Sequence, residues 1–160
     1  MPTTDPLIDF LRQQKQDAEA EHEQVNWAEI RGSWTSDLHA LISQFKEWLR
    51  DAVAERLLTV EEHDVTISED DLGTYQAPAL AICAPRSRSV QIVPKARLIV
   101  GGKGRVDFES GPNRATLIRV DEGHWKFMTR RFSGSPVGPL FEMSDLNAES
   151  FRETIRELLA

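Results

Sequence analysis

Histidines beside carboxylates are the residues in this sequence that could support hydrolytic or metal chemistry. Two such clusters occur, Glu61-Glu62-His63-Asp64 and Asp121-Glu122-Gly123-His124. In an extended strand Glu61 and His63 share one face, so one cluster offers two ligands, fewer than a zinc site needs. A hydrolase site would require Glu61, His63, Asp107 and His124 to converge within about 5 Å. Charged strand edges explain both clusters more simply, and we predict neither catalytic residues nor a metal site.

A polar strand face beside a glycine-rich turn is the second candidate. Arg105 and Asp107 are two residues apart on a predicted strand and share a face, while Val106 and Phe108 point the other way. The preceding Gly101-Gly102-Lys103-Gly104 lacks the pattern of a phosphate-binding loop and is not followed by a helix, which favours a hairpin turn. We expect Arg105 and Asp107 to pair within the sheet, either with each other or with a neighbouring strand. The candidate binding residues are Arg97, Lys103, Arg105 and Asp107.

Charge is segregated along the chain. Residues 1–80 carry 6 basic and 17 acidic side chains, whereas residues 86–131 carry 11 basic and 4 acidic ones. The two halves could simply complement each other. Alternatively, the basic segment, with Trp125 and Phe127, could bind nucleic acid or a nucleotide. Strand alternation assigns both aromatic residues to the core, and the overall pI of about 5.1 disfavours nucleic acid.

Two predicted helices precede the strands. The first runs from about Asp5 to Glu23, and only its first half is apolar, through Leu7, Ile8, Phe10 and Leu11. The second runs as a single rod from about Asn26 to Leu57, and Gly32 within it indicates a break or a close packing contact. Its apolar stripe consists of Trp27, Ile30, Trp34, Leu38, Leu41, Phe45, Trp48 and Ala52. We predict that Trp27, Trp34 and Trp48 form an interaction face.

After Leu58 the apolar period changes to about two, which predicts strands joined by short turns, and therefore antiparallel pairing. The predicted strands are Thr59–Ile67, Tyr75–Ala84, Ser89–Pro94, Arg97–Val100, Arg105–Glu109, Ala115–Val120 and Trp125–Thr129. We expect Cys83 to be buried in its strand. Asn147 is the expected cap of a C-terminal helix.

These elements predict one α+β domain over residues 1–160, in which a long N-terminal helical region packs on a mostly antiparallel meander sheet and a C-terminal helix closes the chain. Its expected parts are helices in 1–57, the sheet in 58–130, a loop in 131–146 and a helix in 147–160. A lone cysteine, the lack of a signal-like N-terminus and the lack of an apolar run of about 20 residues predict a cytoplasmic location without membrane contact.

Two segments carry a resemblance to a known group of sequences. They are residues 69–80, EDDLGTYQAPAL, and residues 94–107, PKARLIVGGKGRVD. The chain resembles a group of small uncharacterised bacterial proteins that have a helical N-terminal region followed by strand-rich sequence. The resemblance implies a bacterial origin, and it implies no activity, cofactor or site residue because the group has no established activity.

Our leading hypothesis is a non-enzymatic module that self-associates or binds a protein partner through its helical region, without a cofactor. The apolar stripe, wider than a short meander would cover, motivates this hypothesis. A nucleic-acid or nucleotide-binding accessory protein that uses Arg97, Lys103 and Arg105 is the first alternative. A hydrolase with the acidic and histidine residues named above is the second.

Overall fold

A computed structural model of the chain describes residues 5–86, 88–99, 101–130 and 141–160. The elements within these residues are α1 (Pro6–Gln24), α2 (Trp27–Trp48), α3 (Arg50–Ala54), β1 (Thr59–Glu69), β2 (Gly73–Cys83), β3 (Ser89–Ala96), β4 (Arg105–Ser110), β5 (Asn113–Asp121), β6 (His124–Arg130), β7 (Phe141–Asp145) and α4 (Ala148–Leu159). Helices at both ends flank consecutive strands, which confirms the predicted α+β fold.

The strands form one antiparallel sheet in the order β1-β2-β3-β4-β5-β6-β7. This order follows from the short connections, because strands joined by tight turns pair with their sequence neighbours. β4 and β5, for example, are joined by Gly111-Pro112, with Ser110 opposite Asn113. Gly111 has φ of +57°, a value that suits glycine in a two-residue hairpin. The predicted meander is confirmed.

Helices α2 and α4 cover one face of the sheet and form the core with it. Phe45 of α2 stacks on Phe151 of α4 at a centroid distance of 4.5 Å. Phe45 and Phe108 of β4 lie edge to face at a centroid distance of 5.6 Å. Asn147 caps α4 by accepting a hydrogen bond from the Ser150 amide, as predicted. The core therefore joins the N-terminal helices, the middle of the sheet and the last helix.

The long second helix is shorter than predicted and is not interrupted at its glycine. α2 ends at Trp48 and the short α3 follows, so the single rod to Leu57 was wrong. Gly32 lies inside α2, and a Cβ there would meet no atom within 4 Å, so neither a break nor a close contact explains it. The five fully buried residues of α2 are Trp34, Leu38, Leu41, Ile42 and Phe45.

Helix α1 lies outside the core. Every residue from Asp5 to Ala20 is exposed, including the apolar side chains of its first half. Leu7, Ile8, Phe10 and Leu11 are between 46 % and 61 % exposed. Among the residues that the structure describes, no helix is long and apolar enough to span a membrane.

Three predictions about the strand region need correction. Residues 97–99 form bends and an isolated bridge from Ile99 to Gly102. The predicted strand Arg97–Val100 is therefore wrong over residues 97–99, and Val100 lies outside the described residues. Phe141–Asp145 forms β7, within the predicted 131–146 loop, because it pairs with β6; residues 131–140 lie outside the described part. Cys83 is exposed, because it ends β2 instead of continuing the buried run.

Gly104 and Gly32 provide a matched test of the packing. A Cβ at Gly104 would overlap the ring of Trp34, and the φ of Gly104 is +149°. We predict that Gly104→Ala lowers the free energy of unfolding by about 2–4 kcal/mol through overpacking and backbone strain. The control, Gly32→Ala, should raise it by about 0.5–1 kcal/mol because alanine favours the helix. Urea unfolding of both variants measures this, and equal effects would contradict the packing at Gly104.

Candidate functional site

A buried arginine lies at the centre of the most polar part of the core. Arg119 of β5 is 1 % exposed. Its Nη1 donates to Asp37 Oδ2 at 2.6 Å, and its Nε donates to the backbone oxygen of Lys103 at 2.9 Å. The guanidinium also lies 5.0 Å from the centre of the Trp34 ring. A buried charge is tolerated only when it is paired and hydrogen-bonded, and Arg119 meets both conditions.

Trp34 connects this arginine to a second set of polar groups. Trp34 Nε1 donates to the Tyr75 hydroxyl at 3.0 Å, and this hydroxyl donates to Glu69 Oε2 at 2.6 Å. Glu69 Oε1 accepts hydrogen bonds from the backbone amides of Arg97 and Leu98. Together these residues tie α2, the first two strands and the 97–98 turn into one network.

The network changes the acidity of the tyrosine. Burial raises the pKa of Tyr75 well above its ordinary value, and the hydrogen bond to Glu69 raises it further, since a phenolate beside this carboxylate would be repelled. The phenol is therefore held neutral as a hydrogen-bond donor. A tyrosine that accepts a proton during catalysis would instead need a lowered pKa.

A small polar cleft opens beside the network at the start of α2. Its volume is about 210 Å³. Its lining consists of Asn26, Glu29, Ile30, Ser33, Arg97, Arg119 and Glu122. Within the described residues, Arg97 Nε is buried without a hydrogen-bond partner. The pKa of Arg97 is lowered mainly by burial and, to a smaller extent, by the nearby positive charge of Arg119. Two arginines and two glutamates line the cleft, so its charge does not select an anion.

The predicted binding residues Arg97, Lys103, Arg105 and Asp107 are only partly brought together. Arg105 Nε and Nη2 donate to the two carboxylate oxygens of Asp107 at 2.8 and 3.0 Å, and these hydrogen bonds raise the pKa of Arg105. Asp107 is fully buried, so the expected pair within the sheet is confirmed. Lys103 instead pairs with Asp121 at 3.0 Å, and Arg97 lies in the cleft. Their use as one binding site stays a prediction without structural support.

The hydrolase residues do not converge. Glu61 and His63 lie on β1 at the edge of the sheet, and Asp107 lies on β4. Three strand spacings separate these strands, about 14 Å along the sheet. His124 begins β6, two strands further on. Over the described part of the chain, no group of three or more His, Cys, Asp or Glu side chains is placed to hold a metal ion.

Six of the eleven cations of the basic segment lie within 4 Å of a carboxylate in the described part of the chain. These pairs are Lys95 with Glu109, Lys103 with Asp121, Arg105 with Asp107, Arg114 with Asp107 and Glu109, Arg119 with Asp37, and Lys126 with Asp145. Of these pairs, only that of Arg119 reaches the acidic first half of the chain. Trp125 and Phe127 are buried, which confirms their assignment to the core and removes them as stacking platforms for bases. These contacts do not favour the nucleic-acid alternative.

The predicted tryptophan face requires a correction at its centre. Trp34 is 0 % exposed, so it cannot contact another protein while the chain is folded. Trp27 and Trp48 are half-buried and pack against the same core, where Trp48 contacts Phe45 and Phe151. The stripe faces the sheet of its own chain because the meander is wide enough to cover it. A role for Trp27 and Trp48 in association stays a prediction.

In the described part of the chain, two apolar features face solvent. One is the set Leu7, Ile8, Phe10 and Leu11 on α1. The other is a groove of about 440 Å³ where the end of α2 meets α4, whose floor residues Leu49 and Ile155 are themselves buried. Its lining consists of Leu49, Leu58, Arg152, Ile155, Arg156, Leu159 and Ala160. Val53 and Leu57, from the same segment as Leu58, are 40 % and 56 % exposed. Large exposed apolar patches on folded proteins mark interaction sites.

Comparison with protein-family models, curated proteins and solved structures found no match for this chain. The resemblance to uncharacterised bacterial proteins therefore stays a prediction.

Arg119 and Lys103 provide a matched test of the buried network. Arg119→Met removes a buried cation and leaves Asp37, which is 25 % exposed, without its ion pair. We predict a loss of about 3 kcal/mol in the free energy of unfolding. Lys103→Met, which breaks an exposed pair with Asp121, should cost far less, because water screens such a pair. Similar losses in urea unfolding would show that Arg119 does not hold the core.

Tyr75 permits a direct optical test, because it is the only tyrosine in the chain. An unfolded tyrosine ionises near pH 10, so a higher folded pKa means that the neutral phenol stabilises the fold fully below about pH 10. This stability is lost as pH rises above that value. We predict no phenolate absorbance at pH 11 in the folded protein and full absorbance in denaturant. Ionisation near pH 10 in the folded protein would contradict the network.

Proposed function

We propose that the protein is a non-enzymatic module that associates with other protein chains, and with copies of itself in particular, and that α1 is the contacting element. This revises the predicted interaction face, because the residues concerned are those of the first helix instead of the tryptophan stripe. The observation that carries the proposal is the exposure of Leu7, Ile8, Phe10 and Leu11 on one 19-residue helix.

The distribution of exposed apolar side chains supports this proposal. In the described part of the chain, eight large apolar side chains are exposed, and four of them lie within five consecutive residues of α1. Single exposed apolar residues are ordinary, but a cluster on one helix is not. At about 100° per residue Leu7, Leu11 and Ala18 align along the helix, with Phe10 and Ile8 on either side. Such a stripe is typical of a helix that packs against another surface.

A helix of this length is also only marginally stable when its apolar face is not packed against another surface. Helices shorter than about 12–15 residues are marginal in water, and most helical stability comes from packing of an apolar face. α1 is only slightly longer, and its second half is rich in charged residues. Association would bury the stripe, at about 1.5–3 kcal/mol for each fully buried leucine.

The buried polar network supports the non-enzymatic part of the proposal. Arg119, Asp37, Tyr75 and Glu69 are engaged with one another or with the backbone, and they connect distant segments of the chain. These contacts are those of residues that stabilise the fold. The Arg105–Asp107 pair is likewise satisfied inside the sheet.

A double substitution along the stripe tests this proposal. Leu7→Gln/Leu11→Gln removes the apolar surface and keeps good helix formers. We predict that the wild-type protein associates in sedimentation experiments over a concentration series. The variant should dissociate at least about tenfold more readily, since two buried leucines contribute several kcal/mol.

The matched control changes the other side of α1. Asp9→Gln/Arg12→Gln alters two exposed residues and leaves the net charge of −7 unchanged. It should associate as the wild type does. A wild-type protein that remains a monomer at all concentrations and binds no partner, or a stripe variant that associates as tightly as the control, would refute the role of α1.

A further inference from the structure

We propose that the groove between the end of α2 and α4 receives α1 of a second copy of this chain. This inference rests on the proposed self-association and identifies the surface to which α1 binds. The groove is lined by Leu49, Leu58, Ile155 and Leu159, with Arg152 and Arg156 at its margin. Its apolar floor matches the apolar first half of α1 in character.

Charge selects this groove over the other cavities near α4. The lining of the groove contains two arginines and no carboxylate side chain. α1 carries Asp17 and Glu19 on either side of Ala18, where the apolar stripe continues along the helix. A larger cavity of about 520 Å³ between the last strands and α4 is lined by two glutamates, Glu153 and Glu157, and by one arginine, Arg114. Its net charge is negative, which disfavours an acidic helix. Arg152 and Arg156 are exposed, although Arg152 donates to the Trp48 carbonyl and Arg156 pairs with Glu153. An exposed ion pair contributes little, so Arg156 can exchange Glu153 for an α1 carboxylate.

The position of the groove favours a second copy over the same chain. The groove lies at the C-terminal end of α2, whereas α1 joins α2 at its N-terminal end near Asn26. At 1.5 Å per residue, Leu7 to Leu11 lie about 22–28 Å from Asn26 along α1, and Leu49 lies about 34 Å from it along α2. If α1 folded back along α2 of the same chain, Leu7 to Leu11 would therefore lie about one or two helical turns short of the groove.

The area available favours a reciprocal dimer. One face of α1, about 28 Å long and 10 Å wide, would bury roughly 550 Å² when both partners are counted. Specific interfaces bury about 1,200–2,000 Å², so one contact is too small and two reciprocal contacts approach the lower bound. An antiparallel pair of copies brings each α1 toward the groove of the other and closes the assembly. Its association should be weak and concentration-dependent.

Two complementary charge reversals test this arrangement in the full chain. The first protein carries Asp17→Lys/Glu19→Lys on α1, and the second carries Arg152→Glu/Arg156→Glu at the groove. Alone, each should dimerise at least about tenfold more weakly than the wild type at low salt, because α1 and groove now have like charges. Mixed in equal amounts they should form a heterodimer close to wild-type affinity, since both contacts are again between opposite charges. Sedimentation velocity with one labelled partner measures both results.

The control is Arg86→Glu/Arg88→Glu, which makes the same change in net charge at exposed residues outside the groove. It should dimerise as the wild type does. A groove variant that also dimerises as the wild type does would overturn the groove, while the self-association itself would stand if Leu7→Gln/Leu11→Gln still dissociates. Failure of the two charge-reversed proteins to form a heterodimer would likewise overturn the contact with a second copy. The same result is expected if α1 binds the groove of its own chain.

Discussion

The burial of the Trp34 indole is the constraint on which the arrangement of the other elements depends. Its ring occupies the space that a side chain at residue 104 would need, it lies beneath the Arg119 guanidinium, and its Nε1 donates to Tyr75. These contacts come from Gly104, from β2 and from β5, so they join α2 to both halves of the sheet. Because one face of α2 is used in this way, Trp34 is not available to a partner.

The residues that stabilise the fold are therefore distinct from those that are available for association. Inside the protein, Asp37 pairs with Arg119, and Glu69 accepts a hydrogen bond from Tyr75. Replacing Asp37 or Glu69 with an apolar residue would remove that partner. Outside, the apolar surface is concentrated at opposite ends of α2, on α1 and around the groove near Leu58. A chain with two such surfaces at opposite ends is suited to pairing with a copy of itself.

Much of this fold could be predicted because periodicity and short connections are local properties. The stripe around Trp34, the antiparallel order of the strands and the cap at Asn147 follow from neighbouring residues. The network could not be predicted, because Tyr75 is an odd number of positions from the buried Leu80 and Ile82, and strict alternation therefore places it on the opposite face. The burial of Arg119 could not be predicted for a related reason. An arginine on a strand is normally exposed, and Arg119 is buried only because it pairs with Asp37, which is far away in sequence.

Hydrogen exchange measured residue by residue over a range of protein concentrations distinguishes a helix covered by its own sheet from a helix covered by a second copy. The amides of α2 should be protected to the same degree at every concentration, because the apolar face of α2 is covered by the sheet of the same chain. The amides of α1 should exchange quickly in dilute solution and become protected as the protein is concentrated. Protection of α2 that increases with concentration, or an α1 that is already protected in the most dilute sample, would contradict the account.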